Sequence, residues 1–137
     1  MTATADDVRR YTVGEAVTLV VNRNLTSSGF RSTPTGEPGT FGLDDVAAIA
    51  TDAADLGATE ICVQGLLPDT EDPTAYLQIA RAIRDADAGI HLHAYRPQDV
   101  RDLADRGGLG LAGAAVLDRH IGGLSPECKE KLDPEPR

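Results

Sequence analysis

Thiols are nearly missing from this 137-residue chain: Cys62 and Cys128 are the only two. One sits in an apolar, strand-like run and the other in a charged tail, which excludes a disulfide framework and a cysteine-rich metal site. Cys62 is expected to be an inert buried thiol. Basic charge is also short. A formal net charge of −9 excludes the electrostatic footprint of a nucleic-acid binder and opposes binding to an anionic membrane. No apolar run reaches the length of a membrane span. Residues 1–7 are acidic and lack the basic-then-apolar order of a signal peptide, so a cytoplasmic protein is expected. No G-x-G-x-x-G or P-loop fingerprint follows any candidate strand, which argues against a nucleotide-binding doubly wound sheet.

What is present is an alternation of strand and helix signals. An apolar fraction of 41% and this length suit one domain with a real core. Residues 16–24, rich in Val and Leu, predict a buried strand. Residues 27–42 carry two prolines and four glycines and predict a long loop. Residues 43–56 predict a helix, with Val46, Ile49, Ala50, Ala53 and Leu56 on one stripe, Asp44 and Asp45 in its first turn, and Gly57 as its C-terminal cap. A second strand is expected over 59–64. Asp72 and Pro73 then predict the start of a helix with Tyr76, Ala80 and Ile83 inward, ended by Gly89. A third strand is expected over 90–95, and a helix opened by Pro97 with Val100, Leu103 and Ala104 inward, broken at Gly107. Residues 109–113 suggest a short fourth strand and residues 114–120 one or two helical turns. The alternation predicts an α/β fold: a partial (β/α) TIM-type barrel of three to four parallel β/α units over residues 1–124, followed by a charged, proline-containing tail over 125–137.

Side chains alternate across a strand, and each strand has one apolar and one polar face. Ile61 and Val63 oppose Glu60, Cys62 and Gln64. Ile90, Leu92 and Ala94 oppose His91, His93 and Tyr95. Leu19 and Val21 oppose Asn22 and Asn24. The apolar faces suit helices, leaving the polar faces to a barrel interior whose functional end is the C-terminal one. An inherited, internally satisfied polar network and a live small-molecule pocket both account for this row. The candidate catalytic residues are His93, Glu60 and Tyr95; the candidate substrate-binding residues are Asn22, Asn24, Gln64, Gly65 and His91. His91 and His93 with Glu60 could chelate a metal, but such strand histidines commonly hold none, and no metal is expected. Asp69, Glu71 and Asp72 are expected to form a solvated acidic loop, and His120 to lie at the surface.

Three motifs carry a family resemblance. Residues 57–65 (G-A-T-E-I-C-V-Q-G), followed by Pro68, resemble the second strand of radical S-adenosylmethionine enzymes of the deazaflavin (FO) synthase type. The nearest likeness is to the CofH-type subunit that joins a tyrosine-derived group to a ribityl-diaminouracil, with the aminofutalosine-pathway enzymes close behind. Residues 90–97 (I-H-L-H-A-Y-R-P) resemble that family's third strand, H-V-H-A-F-S-P. Residues 21–25 resemble its V-N-R-N-I opening, and residues 107–118 carry a fainter echo. The resemblance implies a six-stranded partial barrel, a [4Fe–4S] cluster on a cysteine triplet, S-adenosylmethionine as radical source, and Gln64 and Gly65 near its methionine moiety.

This chain departs from the family in three ways. Residues 25–31 hold no thiol, the stretch after the third strand is shortened, and the fifth and sixth strands have no counterpart. Cluster iron is held by thiolates, so no cofactor is expected. The resulting expectation is a degenerate, truncated, cluster-less relative without radical activity, acting as a small-molecule-binding or subunit-like protein. The alternative is a repurposed non-redox lyase, cyclase or isomerase, in which His93 serves as acid/base, Glu60 orients it, and Tyr95 and Gln64 bind substrate. An open sheet edge and bare inner face predict a homodimer, or a complex with an intact homologue.

Overall fold

The computed structural model describes residues 2–108. The possible fourth strand, the turns at 114–120, His120, Cys128 and the tail lie outside the described residues. The order of elements is α1 (Thr2–Val13), β1 (Asn22–Thr26), a 3-10 turn (Ser27–Gly29), α2 (Leu43–Asp55), β2 (Glu60–Gln64), α3 (Ala75–Ala86), β3 (His91–Ala94) and α4 (Pro97–Arg106). The strands form one parallel sheet in the order β1-β2-β3. Parallel crossovers share one hand, so strands added in one direction place all their helices on one face. The burial follows: Leu25, Ile61, Val63, Leu92 and Ala94 pack with Val46, Ala50, Tyr76, Ile79, Ala80, Ile83, Val100 and Leu103 in one core. This α/β layer fits a partial (β/α) fold, and the described strands form an open sheet.

Local chemistry sets the helix ends. The Asp45 carboxylate accepts the Gly42 amide at 2.8 Å, capping α2, and Gly57 takes φ 82 just beyond its end. The third helix begins two residues later than Asp72 and Pro73 suggest. Asp72 instead builds a turn, accepting the Thr74 amide at 2.8 Å, and i→i+3 bonds from Ala75 and Tyr76 lead into the helix. The Thr74 hydroxyl, which also donates to Asp72, and then the Thr74 amide hold the Asp72 carboxyl below its usual range.

The first strand differs more. Residues 16–21 are exposed rather than buried, with Leu19 85% accessible. Pairing starts at Asn22, opposite Glu60, the first residue of β2. The Val21 carbonyl still accepts the Thr59 amide at 2.8 Å, but upstream of it the segment pairs with no strand among the described residues, and apolar composition alone does not bury it. The helix α1 has no counterpart in the hydrophobic pattern. From Thr4 onward its residues are exposed apart from the half-buried Asp6, which pairs with Arg9 and Arg10. The loop after β1 is self-stapled: Phe30 and Phe41 pair edge-to-face at 6.1 Å, and Arg31 N–H donates to the Phe41 carbonyl at 2.9 Å. Gly29 is required there, because a Cβ would lie 2.5 Å from the Gly39 carbonyl oxygen.

Candidate functional site

Register builds the site. Asn22, Glu60 and His91 are aligned across the three strands, and Asn24, Cys62 and His93 form the next row. All six belong to the face opposite the buried Ile61, Val63 and Leu92. The sequence-derived grouping of Asn22, Asn24, Glu60, His91 and His93 on one face is therefore found. Among the described residues no helix packs on that face, and His91 and His93 are exposed while Glu60 and Cys62 are half-buried. The expected hollow around them is thus an open surface among the described residues. Cys62 is correspondingly not the deeply buried thiol expected from its apolar neighbours. It lies on the uncovered side of the sheet.

The contacts on this face centre on Cys62. Its thiol donates to Glu60 Oε1 at 3.3 Å, lies 3.8 Å from His93 Nδ1, and receives Asn22 Nδ2 at 3.9 Å. Partial burial, then the neighbouring Glu60 carboxylate, push the thiol pKa up. The histidine closest to the Glu60 carboxylate is His91, with Nε2 3.7 Å from Oε2. Glu60 was expected to orient His93; strand register pairs it with His91 instead, and His93 with Cys62.

Tyr95 leaves the row. The strand ends at Ala94, and Tyr95 is 3% exposed within the helix-side core. Its hydroxyl donates to the Tyr76 carbonyl at 2.6 Å, and its ring meets that of Tyr76 edge-to-face at 5.1 Å. Burial raises its pKa well above the ordinary phenol value. A side chain so enclosed is placed as a packing element rather than as a group facing the sheet's polar side.

Gly65 closes β2 at φ 111, where a Cβ would sit 3.0 Å from Thr26 Cγ2. Its amide is already committed, donating to Asp99 Oδ2 at 3.1 Å. Asp99 is fully buried and also accepts the Arg96 amide at 3.1 Å and the Arg96 guanidinium at 3.0 Å. One carboxylate thereby ties the end of β2 to the start of α4, and it holds the Arg96 pKa above its ordinary value. Gln64 is exposed beside this junction.

The acidic loop after β2 is not simply solvated. Glu71 is 8% exposed, and its carboxylate accepts the Ser32 amide at 2.9 Å, linking the loops after β1 and β2. Arg106 donates to the carbonyls of Pro68 and Glu71 and pairs with Asp102 at 2.9 Å. Asp102 in turn accepts the Tyr76 hydroxyl at 2.9 Å, and Tyr76 oxygen receives the Leu67 amide at 2.9 Å. Burial raises the Tyr76 pKa most and the Asp102 carboxylate adds to it, while the Leu67 amide works against both.

A hollow of about 530 Å³ lies where β1 runs into the stapled loop, with Asn24, Thr26, Ser28, Arg31 and Glu37 in its wall. Asn24 is the residue it shares with the polar face. Among the described residues, Glu60, Cys62 and His93 also form a cluster of potential metal ligands, their donor atoms all within 4.8 Å of one another.

No protein-family model matches this chain, and no solved structure does. Curated relatives do. An FO synthase of Streptomyces coelicolor is 34% identical over 146 residues, covering 97% of this chain and 17% of that protein. A 5-amino-6-(D-ribitylamino)uracil--L-tyrosine 4-hydroxyphenyl transferase of Archaeoglobus fulgidus is 39% identical over 113 residues, covering 77% of this chain and 33% of its own length. The same-named protein of Microcystis aeruginosa is 38% identical over 157 residues, 98% of this chain and 40% of the relative. This chain spans well under half the length of each of these proteins. The last match is also longer than the chain itself, so the relative holds residues within the span that have no counterpart here. With the three strand motifs side by side in one sheet, these matches make the chain a relative of the FO synthases and CofH-type 4-hydroxyphenyl transferases.

Proposed function

We propose that this chain is a cluster-less relative of the CofH-type transferases that binds a small molecule, or serves as a subunit, without radical chemistry of its own. The observation that carries the reading is the pairing of two features, a polar face kept along the sheet from the first residues of its strands and a thiol-free loop leaving the far end of β1. The polar rows of Asn22, Glu60 and His91 and of Asn24, Cys62 and His93 lie on the face opposite the buried Ile61, Val63 and Leu92. The loop that follows β1 offers Leu25, Thr26, Ser27, Ser28, Gly29, Phe30 and Arg31, none of which supplies a thiolate. Cys62, on β2, is the one cysteine among the described residues, and one thiolate cannot replace three. The residues present do not fit a [4Fe–4S] cluster.

The outer strands β1 and β3 each leave an edge that no strand pairs among the described residues, which favours association. In this reading the partner is a second copy of the chain or an intact homologue, and Asn22, Asn24, Gln64, Glu60, His91 and His93 contact the ligand. Tyr95 is omitted from the ligand set because it packs under α3.

Two measurements test the proposal. Differential thermal melting with S-adenosylmethionine, tyrosine and ribityl-diaminouracil analogues is expected to give a saturable rise in Tm for at least one of them. Anaerobic reconstitution with iron and sulfide is expected to leave no cluster absorbance. A stoichiometric cluster, or a flat melting response to every compound, would overturn the reading.

A further inference from the structure

We infer that Glu60, Cys62 and His93 form a binding site for a single divalent transition-metal ion of the zinc class, with one coordination position open to the bare side of the sheet. The inference stands on the geometry of these three residues and does not depend on the ligand-binding reading.

Three observations carry it. The donors are one carboxylate, one thiol and one imidazole, the mixed O, S, N set that zinc accepts. Their spacing is also compact, all three donor atoms lying within 4.8 Å of one another. Tetrahedral zinc, with bonds of about 2.3 Å to sulfur and 2.0 to 2.1 Å to nitrogen or oxygen, sets neighbouring donors about 3.3 to 3.6 Å apart. Here Cys62 Sγ lies 3.3 Å from Glu60 Oε1 and 3.8 Å from His93 Nδ1. A bound ion would draw His93 and Glu60 together by rotation of their side chains. Finally, the backbone beneath them is fixed: Glu60 and Cys62 are alternate residues of the central strand, and His93 is in register with Cys62 on β3.

The surroundings suit a cation. Carboxylate and thiolate would together carry two negative charges, which a divalent ion neutralises. Without the ion, Glu60 opposes ionisation of Cys62. Asn22 Nδ2 points at the sulfur from 3.9 Å, placed to donate to a metal-bound thiolate. His91 Nε2 lies 3.7 Å from the second oxygen of Glu60, placed to orient that carboxylate. Binding would release the thiol proton to solvent, so affinity rises with pH.

The test uses cobalt as a spectroscopic stand-in for zinc. The full chain carrying Cys128→Ser, treated with chelator, is titrated with Co²⁺ under anaerobic conditions. One equivalent is expected to produce a thiolate-to-cobalt charge-transfer band and tetrahedral-type visible bands, both erased by added Zn²⁺. Cys62→Ser should remove the charge-transfer band. His93→Gln, an exposed position that the fold does not depend on, should weaken Co²⁺ binding at least about tenfold with circular dichroism unchanged. Absence of the band, its persistence in Cys62→Ser, or unaltered affinity in His93→Gln would overturn the site. Thermal melts in chelator-treated protein report the organic-ligand reading separately, so the two can fail independently.

Discussion

Removing the Asp99 carboxylate should unlock the C-terminal end of the sheet. Asp99 is wholly buried and accepts three kinds of donor: the Gly65 amide, the Arg96 amide and the Arg96 guanidinium. In Asp99→Ala the Gly65 amide is left buried without its partner, which costs about 1 to 3 kcal/mol. The first turn of α4 loses its cap, about 1 kcal/mol more. The guanidinium is partly exposed, with 42% side-chain accessibility, and recovers water, so its pairing is discounted. The total is about 2 to 4 kcal/mol, a large share of the roughly 5 to 15 kcal/mol that stabilises an ordinary domain. Urea unfolding followed by circular dichroism should show a lower midpoint at constant m. Hydrogen exchange should also show the Gly65 amide losing protection. Asp99→Asn should not rescue fully, because its amide group presents a donor to donors. A midpoint within about 0.5 kcal/mol of the parent, the range typical of an ordinary surface substitution, would refute the reasoning.

Other substitutions follow from the same geometry. Gly65→Ala combines φ 111 with a Cβ only 3.0 Å from Thr26 Cγ2, and should destabilise by about 1 to 3 kcal/mol in urea; an unchanged midpoint would refute the strain. Ser27 is fully buried, and its hydroxyl has no hydrogen-bond partner among the described residues. Ser27→Ala should therefore be neutral or stabilising by up to about 1 kcal/mol, and a clear loss would reveal a partner for that hydroxyl. Tyr95→Phe should cost about 1 kcal/mol near neutrality by deleting the bond to the Tyr76 carbonyl. The raised pKa of Tyr95 makes the parent's stability complete below the unfolded phenol value of about 10, and progressively lost as pH rises past it. The gap between parent and Tyr95→Phe should accordingly close in alkaline unfolding, and a constant gap would refute it.

The sequence was most legible where the pattern is local. The stripe of Val46, Ala50 and Ala53, the stripe of Tyr76, Ala80 and Ile83, and Pro97 ahead of Val100 and Leu103 mark α2, α3 and α4 because periodicity and capping are written in neighbouring residues. The alternation of Glu60 to Gln64 and His91 to Ala94 likewise fixes which side chains share a face. What depends on distant partners was not legible. Residues 16–21 look like a strand, but pairing begins only where β2 can meet them. Tyr95 follows the parity of His91 and His93 in the sequence, yet the strand stops one residue before it. Glu71 looks like one more solvated acid until the Ser32 amide, 39 residues away, is brought to it. Asp99 did leave a local trace, since Pro97 at the helix start makes Asp99 the third helical residue, where a carboxylate caps. Its burial came from Gly65, 34 residues upstream.

The bonds of Glu71 and Arg106 have a mechanical consequence. Through Ser32, Pro68 and Asp102 they lash together the connections leaving β1 and β2 and the last turn of α4. The rim above those strand ends behaves as a single collar rather than as separate flaps. Accommodation of a guest there must then come from rotating side chains such as Gln64 and Arg31, and not from peptide segments swinging aside.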